Sequence, residues 1–510
     1  MANTSANNKR IAKNTILLYI RMFFIMAVTL FTSRVVLNTL GVVDFGIYNV
    51  VGGVVSMMGV LNGAMAVSTQ RYLTFELGRG DMVRLKQVFS VCLSIFFLLS
   101  IIVILLSETI GLWFLHNKMV IPAERMVAAN WVYQYSILAC ILSLVVNPFN
   151  ATIIAHERMN VYAYVSILEV LLKLGVVYLL LLIPADRLAT YGLLILVSQA
   201  TVAFTYIIYC WKHFPETHYR FYWERPLFIE LVSYSGWNLF GSLSTLVKGQ
   251  GLNILLNMFF NPAVNAARGI AYQINSAITQ FFTNFYTAVR PQITKYYAQG
   301  DTENMIRLIF RSSKFSFYLI MLISMPIVIE TPYIVNLWLG QLPDYVVPFT
   351  RLIVVISAID AMATPLMTAA HATGHIRLYQ SSVGTMTILN LPISYIFLKL
   401  GGQPLTVFYI SLCISIFCLF MRLWIVQRQM DFPVKRYIIQ VFGSCVMICM
   451  IATVVPLTAH ILLSENFLNV VAVCLLCIVS TAMTVYGLGL TKHERSIVAG
   501  IIRKKILQKK

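Results

Sequence analysis

Apolar runs of about 20 residues, each closed off by a short polar or basic stretch, recur along nearly the whole chain, and a bilayer-spanning helix needs about that length. The pattern predicts fourteen spans, at 12–33, 43–68, 87–107, 127–150, 160–183, 189–211, 229–256, 264–288, 309–333, 346–370, 378–399, 404–425, 437–458 and 467–490. The second, seventh and eighth are the most polar, being rich in Gly, Ser, Asn and Gln. The expected fold class is an all-α polytopic membrane protein.

Composition strengthens that expectation and narrows the function. Of 510 residues, 59% are hydrophobic and 11% charged, against about 25% charged in soluble domains. The longest polar gaps, near 70–86, 212–227 and 290–308, each run to roughly 20 residues, and a folded domain needs about 50. An extramembrane catalytic module therefore has no room, and an enzyme is not expected. No Gly-Lys-Ser/Thr phosphate loop occurs, which argues against direct ATP hydrolysis. No cofactor and no metal site are expected. Cys474 and Cys477 form a CxxC, but within an apolar span, where small packing residues are the simpler reading.

The net charge of +19 is unevenly distributed. The N-terminus, the loops after even-numbered spans and the C-terminal tail hold 28 of the 38 Lys and Arg; loops after odd-numbered spans hold six, and four lie deeper within spans. By the positive-inside rule this puts both termini in the cytoplasm and favours an even number of spans. The first fourteen residues are polar and basic, with no small-residue cleavage site after the first apolar run, so the first span is expected to be retained. Basic residues confined to short loops do not suit nucleic acid. The tail 501–510 is a basic amphipathic segment suited to anionic headgroups, at about 1 kcal/mol per Lys or Arg.

A repeat underlies the spans. Span 2 opens Asp44-Phe45-Gly46-Ile47-Tyr48 and span 8 opens Arg268-Gly269-Ile270-Ala271-Tyr272; each is followed by a basic stretch, from Arg71 and from Arg290, that ends in Gly80-Asp81 and Gly300-Asp301. The copies are offset by 223 and 220 residues and run the same way across the membrane, a known plan for transporters with the substrate site between halves. The expected organisation is an N-terminal lobe at 1–215 (spans 1–6), a C-terminal lobe at 216–430 (spans 7–12) and two further spans with the basic tail at 431–510.

Charges inside the spans are the candidate chemistry. Arg21 and Lys173 lie at mid-span, where a cation facing lipid costs about 2.5–3.5 kcal/mol. They imply a polar interior and an anionic ligand. Arg21 has the forked geometry to bind an oxyanion; its structural alternative is an ion pair or helix carbonyls. Lys173 has Glu169 one turn earlier, so the two can neutralise each other. Lys248 opens the polar run Lys248-Gly249-Gln250-Gly251-Leu252-Asn253, which suits a bent helix lining a cavity, or a helix end at the interface. Arg268 either faces that cavity or snorkels to headgroups. Asp360, with Glu169 an acid near mid-span, is a coupling-ion site or the partner of a cation. Asp44 and Glu330 fall near span ends and read as interfacial. Trp131, Trp237, Tyr133, Tyr234 and Tyr272 suit either stacking on a ligand or packing.

The stretch Leu40 to Tyr48, with Arg71 through Gly80-Asp81, resembles the first lobe of polysaccharide flippases of the multidrug/oligosaccharidyl-lipid/polysaccharide (MOP) exporter superfamily. Within it the chain is most similar to the Wzx-type repeat-unit flippases of O-antigen and capsule assembly. The resemblance implies a V-shaped pair of six-helix bundles that alternate between inward-open and outward-open states in the bacterial inner membrane. It implies as cargo an undecaprenyl-diphosphate-linked oligosaccharide, carried from the cytoplasmic to the periplasmic leaflet. Membrane lipids and a downstream polysaccharide polymerase are candidate partners. In that family helices 1, 2, 7 and 8 line the cavity, and on this chain Arg21, Arg34, Lys248 and Arg268 lie in or beside them. Alternatives of cargo are a lipid-linked peptidoglycan precursor and, for a cation-coupled multidrug exporter of the same superfamily, an organic cation.

Overall fold

The computed structural model describes residues 11, 14–29, 32, 35–36, 39–41, 44, 47–48 and 51, then 59–117, 121–182, 186–260, 262–339, 343–464, 466–491 and 494–495. Arg34 and the basic tail at 501–510 lie outside the described residues. The helices are α1 (Asn14–Thr29), α2 (Gly59–Arg79), α3 (Met82–Asn117), α4 (Met126–Ala155), α5 (Met159–Leu182), α6 (Arg187–His213) and α7 (Arg225–Phe259). They continue with α8 (Pro262–Ala298), α9 (Thr302–Ile329), α10 (Val346–Ala372), α11 (Arg377–Lys399), α12 (Thr406–Met430), α13 (Val434–Leu462) and α14 (Phe467–Gly489). No strand occurs among the described residues. The chain is all-α, as expected.

Among the described residues ten helices, α3 to α6 and α9 to α14, are long and apolar enough to cross a membrane. Much of the second expected span, 43–68, lies outside the described residues. The helices α7 and α8 have ample length, at 35 and 37 residues, but their Asn, Gln, Ser and Gly lower their hydropathy. Among the ten, α13 and α14 are the least buried, leaving broad apolar faces for lipid.

The repeated Gly-Asp is a helix stop followed by a helix start. Gly80 and Gly300 take φ of +77° and +71°, a left-handed conformation that glycine adopts without steric cost and that closes helix C-termini. At the second copy the Gly300 N–H bonds the Tyr297 carbonyl and the Asp301 N–H that of Tyr296, at 3.0 and 2.9 Å. That is the double bond of a Schellman cap. At the first, Asp81 caps α3 by accepting from the Arg84 N–H at 2.9 Å. The sequence repeat is therefore a repeat of backbone geometry.

The chain divides into two compact units, residues 1–243 with 287–302, and residues 244–286 with 303–510. In the first unit the segment after α6 and the start of α7 are clipped by an ion pair and hydrogen bonds. His156 Nε2 meets Glu216 at 2.5 Å, Arg84 grips Glu224 through both Nη atoms at 2.6 and 3.2 Å, and the Tyr72 hydroxyl donates to Glu230 at 2.8 Å. The end of α8 is fastened by Glu157, whose side chain is fully buried and accepts from Gln292 Nε2 at 2.5 Å and Lys295 Nζ at 2.7 Å. Close approach of α2 and α8 depends on Gly78, where a Cβ would come within 2.7 Å of the Ala298 Cβ. Arg125 holds two acids at once, bonding Asp44 through Nε at 2.8 Å and Asp186 through Nη1 at 2.5 Å. Asp44 is thus an ion-pair partner.

The second unit is built around an apolar cluster that includes Leu252, Leu256, Ala267, Phe349 and Phe408, with the last two rings 4.3 Å apart. Glu330, expected at the interface, is buried and accepts from His460 Nδ1 at 2.8 Å, tying α13 to the end of α9.

Candidate functional site

A cavity of about 790 Å³ opens inside the first unit. Polar stripes on four helices build most of it. On α5, Tyr162, Ser166, Glu169 and Lys173 line it; their spacing of four, three and four residues puts them on one helical face. On α4, Ser143, Asn147 and Asn150 do the same, and α6 adds Tyr191, Gln199 and Tyr206. From α1 come Arg21 and Thr29, and from α2 comes Asn62. The remaining faces of these helices are apolar and turn to packing or lipid.

The cavity has a charged wall and a neutral one. On the charged wall Lys173 Nζ donates to Glu169 at 2.7 Å, and both side chains keep about a third of their surface accessible, 39% and 31%. Arg21 lies over the Tyr162 ring, 4.4 Å from its centroid. Its buried Nε has no hydrogen-bond partner, and the guanidinium makes no ion pair among the described residues. A desolvated donor without an acceptor costs about 1–3 kcal/mol, more if charged, so an anion in the cavity would find a ready site. On the neutral wall Asn62 donates to Ser143 Oγ at 3.0 Å and accepts from Asn147. The buried Asn150 Oδ1 has no hydrogen-bond partner among the described residues.

The other expected site residues fall in the second unit. Arg268, 9% exposed, is committed to structure: it donates to the Gly249 carbonyl at 2.8 Å and Asn253 Oδ1 at 3.2 Å, and covers the Tyr272 ring at 4.5 Å. These contacts join α8 to α7. Asp360 accepts from Ser415 Oγ at 3.0 Å and from Arg422 Nη1 at 3.4 Å. Lys248 lies within electrostatic reach of Asp360 and Arg422 and makes no hydrogen bond or ion pair among the described residues. The structure thus gathers Arg21, Glu169 and Lys173 at one cavity, and Lys248 and Asp360 with Arg422 elsewhere. No cluster of His, Cys, Asp and Glu suited to a metal occurs among the described residues.

Sequence reading missed Arg422 and the neutral wall. The stripe 143, 147, 150 on α4 is visible as polar residues at helical spacing in an apolar run. Of the aromatic candidates, Tyr234 is buried and Tyr133 donates to the Ser107 carbonyl at 2.7 Å, both packing roles.

No protein-family model and no curated protein matches the chain. Solved structures do. A crystal structure of MATE in the bent conformation matches with a TM-score of 0.71 at 14% identity, over 84% of this chain and 96% of that one. An outward-facing multidrug resistance MATE transporter of the MOP superfamily matches at 0.66 and 15%, over 83% and 97%. A MOP superfamily transporter from Pyrococcus furiosus, described as having a binding pocket of reverse polarity that suggests a different function, matches at 0.65 and 15%, over 84% and 96%. These neighbours are transporters, not enzymes. The chain is a multi-pass membrane protein with the fold of the MATE transporters of the MOP superfamily.

Proposed function

We propose that this chain is a flippase that carries polyprenyl-diphosphate-linked oligosaccharides from the cytoplasmic to the outer leaflet of the bacterial inner membrane, for assembly of cell-surface polysaccharide. The observation that carries the reading is Arg21, a cation without a hydrogen bond or ion pair among the described residues, on a cavity of about 790 Å³. Two cations and one carboxylate on that cavity leave a positive excess, which favours an anion. The amide and hydroxyl wall facing it suits sugar hydroxyls. A cation exporter would be served by the opposite sign, and α1 carries no Asp or Glu. Reversed pocket polarity has been taken to suggest a different function for the Pyrococcus furiosus neighbour, and the positive excess of this cavity likewise sets it apart from a pocket for cations.

The diphosphate would sit against Arg21, with Lys173 released from Glu169 as a second donor, the glycan among the amides, and the polyprenyl tail in lipid. With both termini cytoplasmic, outward movement of an anion gains about 2.3 kcal/mol per charge per 100 mV of inside-negative potential.

The test is flipping of a fluorescent undecaprenyl-diphosphate oligosaccharide in proteoliposomes. Protein-dependent flipping that Arg21→Ala removes, in a variant that still elutes as folded protein, supports the proposal. Export of organic cations with no glycolipid flipping would move the chain to the multidrug exporters, and flipping of a peptidoglycan precursor alone would reassign the cargo.

A further inference from the structure

The second unit holds a cluster with the same charge arithmetic as the cavity of the first. Lys248 on α7, Arg422 on α12 and Asp360 on α10 bring two cations to one carboxylate. Arg422 is largely buried, with 15% of its side chain accessible. Its Nε donates to the Tyr379 hydroxyl at 3.0 Å and its Nη1 to Asp360 at 3.4 Å, while Nη2 has no hydrogen bond among the described residues. Ser415 already satisfies the same Asp360 oxygen. Lys248 adds an ammonium that makes no hydrogen bond or ion pair among the described residues.

Lys248 lies eleven residues before the end of α7 at Phe259, about 16 Å along the axis, so it belongs to the body of the helix and not to its terminus. A cation in such a position without a hydrogen bond or ion pair among the described residues is a candidate for a bound anion. One carboxylate cannot neutralise two cations, so the cluster keeps an excess of positive charge and two donors, Lys248 Nζ and Arg422 Nη2, that make no hydrogen bond among the described residues. A planar fork within electrostatic reach of a rotatable ammonium is a donor set suited to a phosphate oxyanion. Within the repeat the offset of 223 carries Arg21 to Ser244, and Lys248 lies one helical turn beyond that position on the same face.

We propose that the second unit contains its own phosphate-binding site, formed by Lys248 and Arg422 and kept open by Asp360 and Tyr379, which hold the guanidinium from the other side. The site stands apart from the glycolipid reading of the first unit, because it requires only that a phosphate oxyanion, free or on a lipid headgroup, reach the cluster.

The experiment is thermal unfolding of the full chain in neutral detergent, comparing sodium phosphate with sodium gluconate at equal ionic strength. Wild type, Arg21→Gln, Lys248→Gln and the double variant are run side by side, and dihexanoyl phosphatidylglycerol replaces phosphate in a parallel series. A phosphate-specific stabilisation that survives Arg21→Gln and falls at least threefold in the double variant supports a free-anion site. The same pattern with the lipid alone supports a headgroup site. Should Lys248→Gln fail to fold, Lys248→Arg takes its place with Arg21→Gln, and there the stabilisation is expected to persist. Loss of all stabilisation in Arg21→Gln, or equal stabilisation in Arg21→Gln and the double variant, overturns the proposal. So does a wild type that responds to neither ligand. Failure here with intact glycolipid flipping would leave the proposed function standing.

Discussion

The Arg21 guanidinium lies over the ring of Tyr162, 4.4 Å from its centroid, at the edge of the first unit's cavity. The stacking orients the plane of the cation without occupying its donors. Such a contact is worth about 0.5–2 kcal/mol depending on desolvation, enough to select one rotamer of a long side chain.

The role of Tyr162 follows. Tyr162→Phe keeps the aromatic face, and its flipping rate is expected to stay within about twofold of wild type, since the quadrupole of Phe serves nearly as well. Tyr162→Leu removes the face and is expected to slow flipping roughly tenfold by letting Arg21 wander, with thermal stability nearly unchanged. Proteoliposome rates and unfolding curves for the two variants decide it; equal rates for Phe and Leu would remove Tyr162 from the site.

Lys173 and Glu169 are predicted to be a replaceable pair. A half-exposed i,i+4 ion pair contributes only about 0.3–0.5 kcal/mol, so Glu169→Gln with Lys173→Gln together should leave stability close to wild type. Transport should separate the two residues: Lys173→Gln is expected to slow flipping and Glu169→Gln to leave it equal or faster, by freeing the ammonium. A double-mutant cycle on flipping rate measures this, and slower flipping in Glu169→Gln would count against Lys173 as a substrate donor.

How much of this was legible before the structure depended on whether the signal was periodic. Long apolar runs made α3 to α6 and α9 to α14 visible, because burial in lipid demands continuous hydrophobicity. Arg21 and Lys173 stood out because a charge breaks that continuity, and both line the cavity. Arg422 stands near the end of the expected span at 404–425, where a cation breaks no apolar run, whereas α12 continues to Met430 and places it two turns inside the helix. Arg268 looked like a cavity cation, yet its partners, the Gly249 carbonyl and Asn253, are met only once α7 and α8 pack. The pairing of Arg125 with Asp44 and Asp186 joins three distant stretches that no local pattern links.

Glu157 is expected to dominate the stability of its corner of the first unit. Its side chain is fully buried against Gln292 and Lys295, and its backbone takes a left-handed φ of 57° that a non-glycine residue rarely adopts. Removing one partner of a buried pair strands the other, at about 3–5 kcal/mol. Glu157→Ala should therefore lower thermal stability strongly, while Glu157→Ala with Lys295→Met should recover a good part. Thermal unfolding of the two variants is the check, and no recovery in the double variant would mean that the charge is not what the clip balances.

Glu224 gives a pH-dependent counterpart at a site outside the spans. The Arg84 guanidinium grips its carboxylate and the Tyr222 hydroxyl donates to it at 2.7 Å, which together hold its pKa below the usual carboxylate value. A group with a lowered pKa in the folded state stabilises that state above its unfolded pKa, and the contribution disappears as pH falls through the folded value. Wild type should therefore be more stable than Glu224→Gln at pH 7, and the gap should close as the pH falls below the ordinary carboxylate range, about 4.3 for Glu. Unfolding temperatures of both proteins from pH 7 to pH 3 test this. A gap that stays constant across that range would show that the clip between α3 and the segment before α7 is held by shape and not by the charge on Glu224.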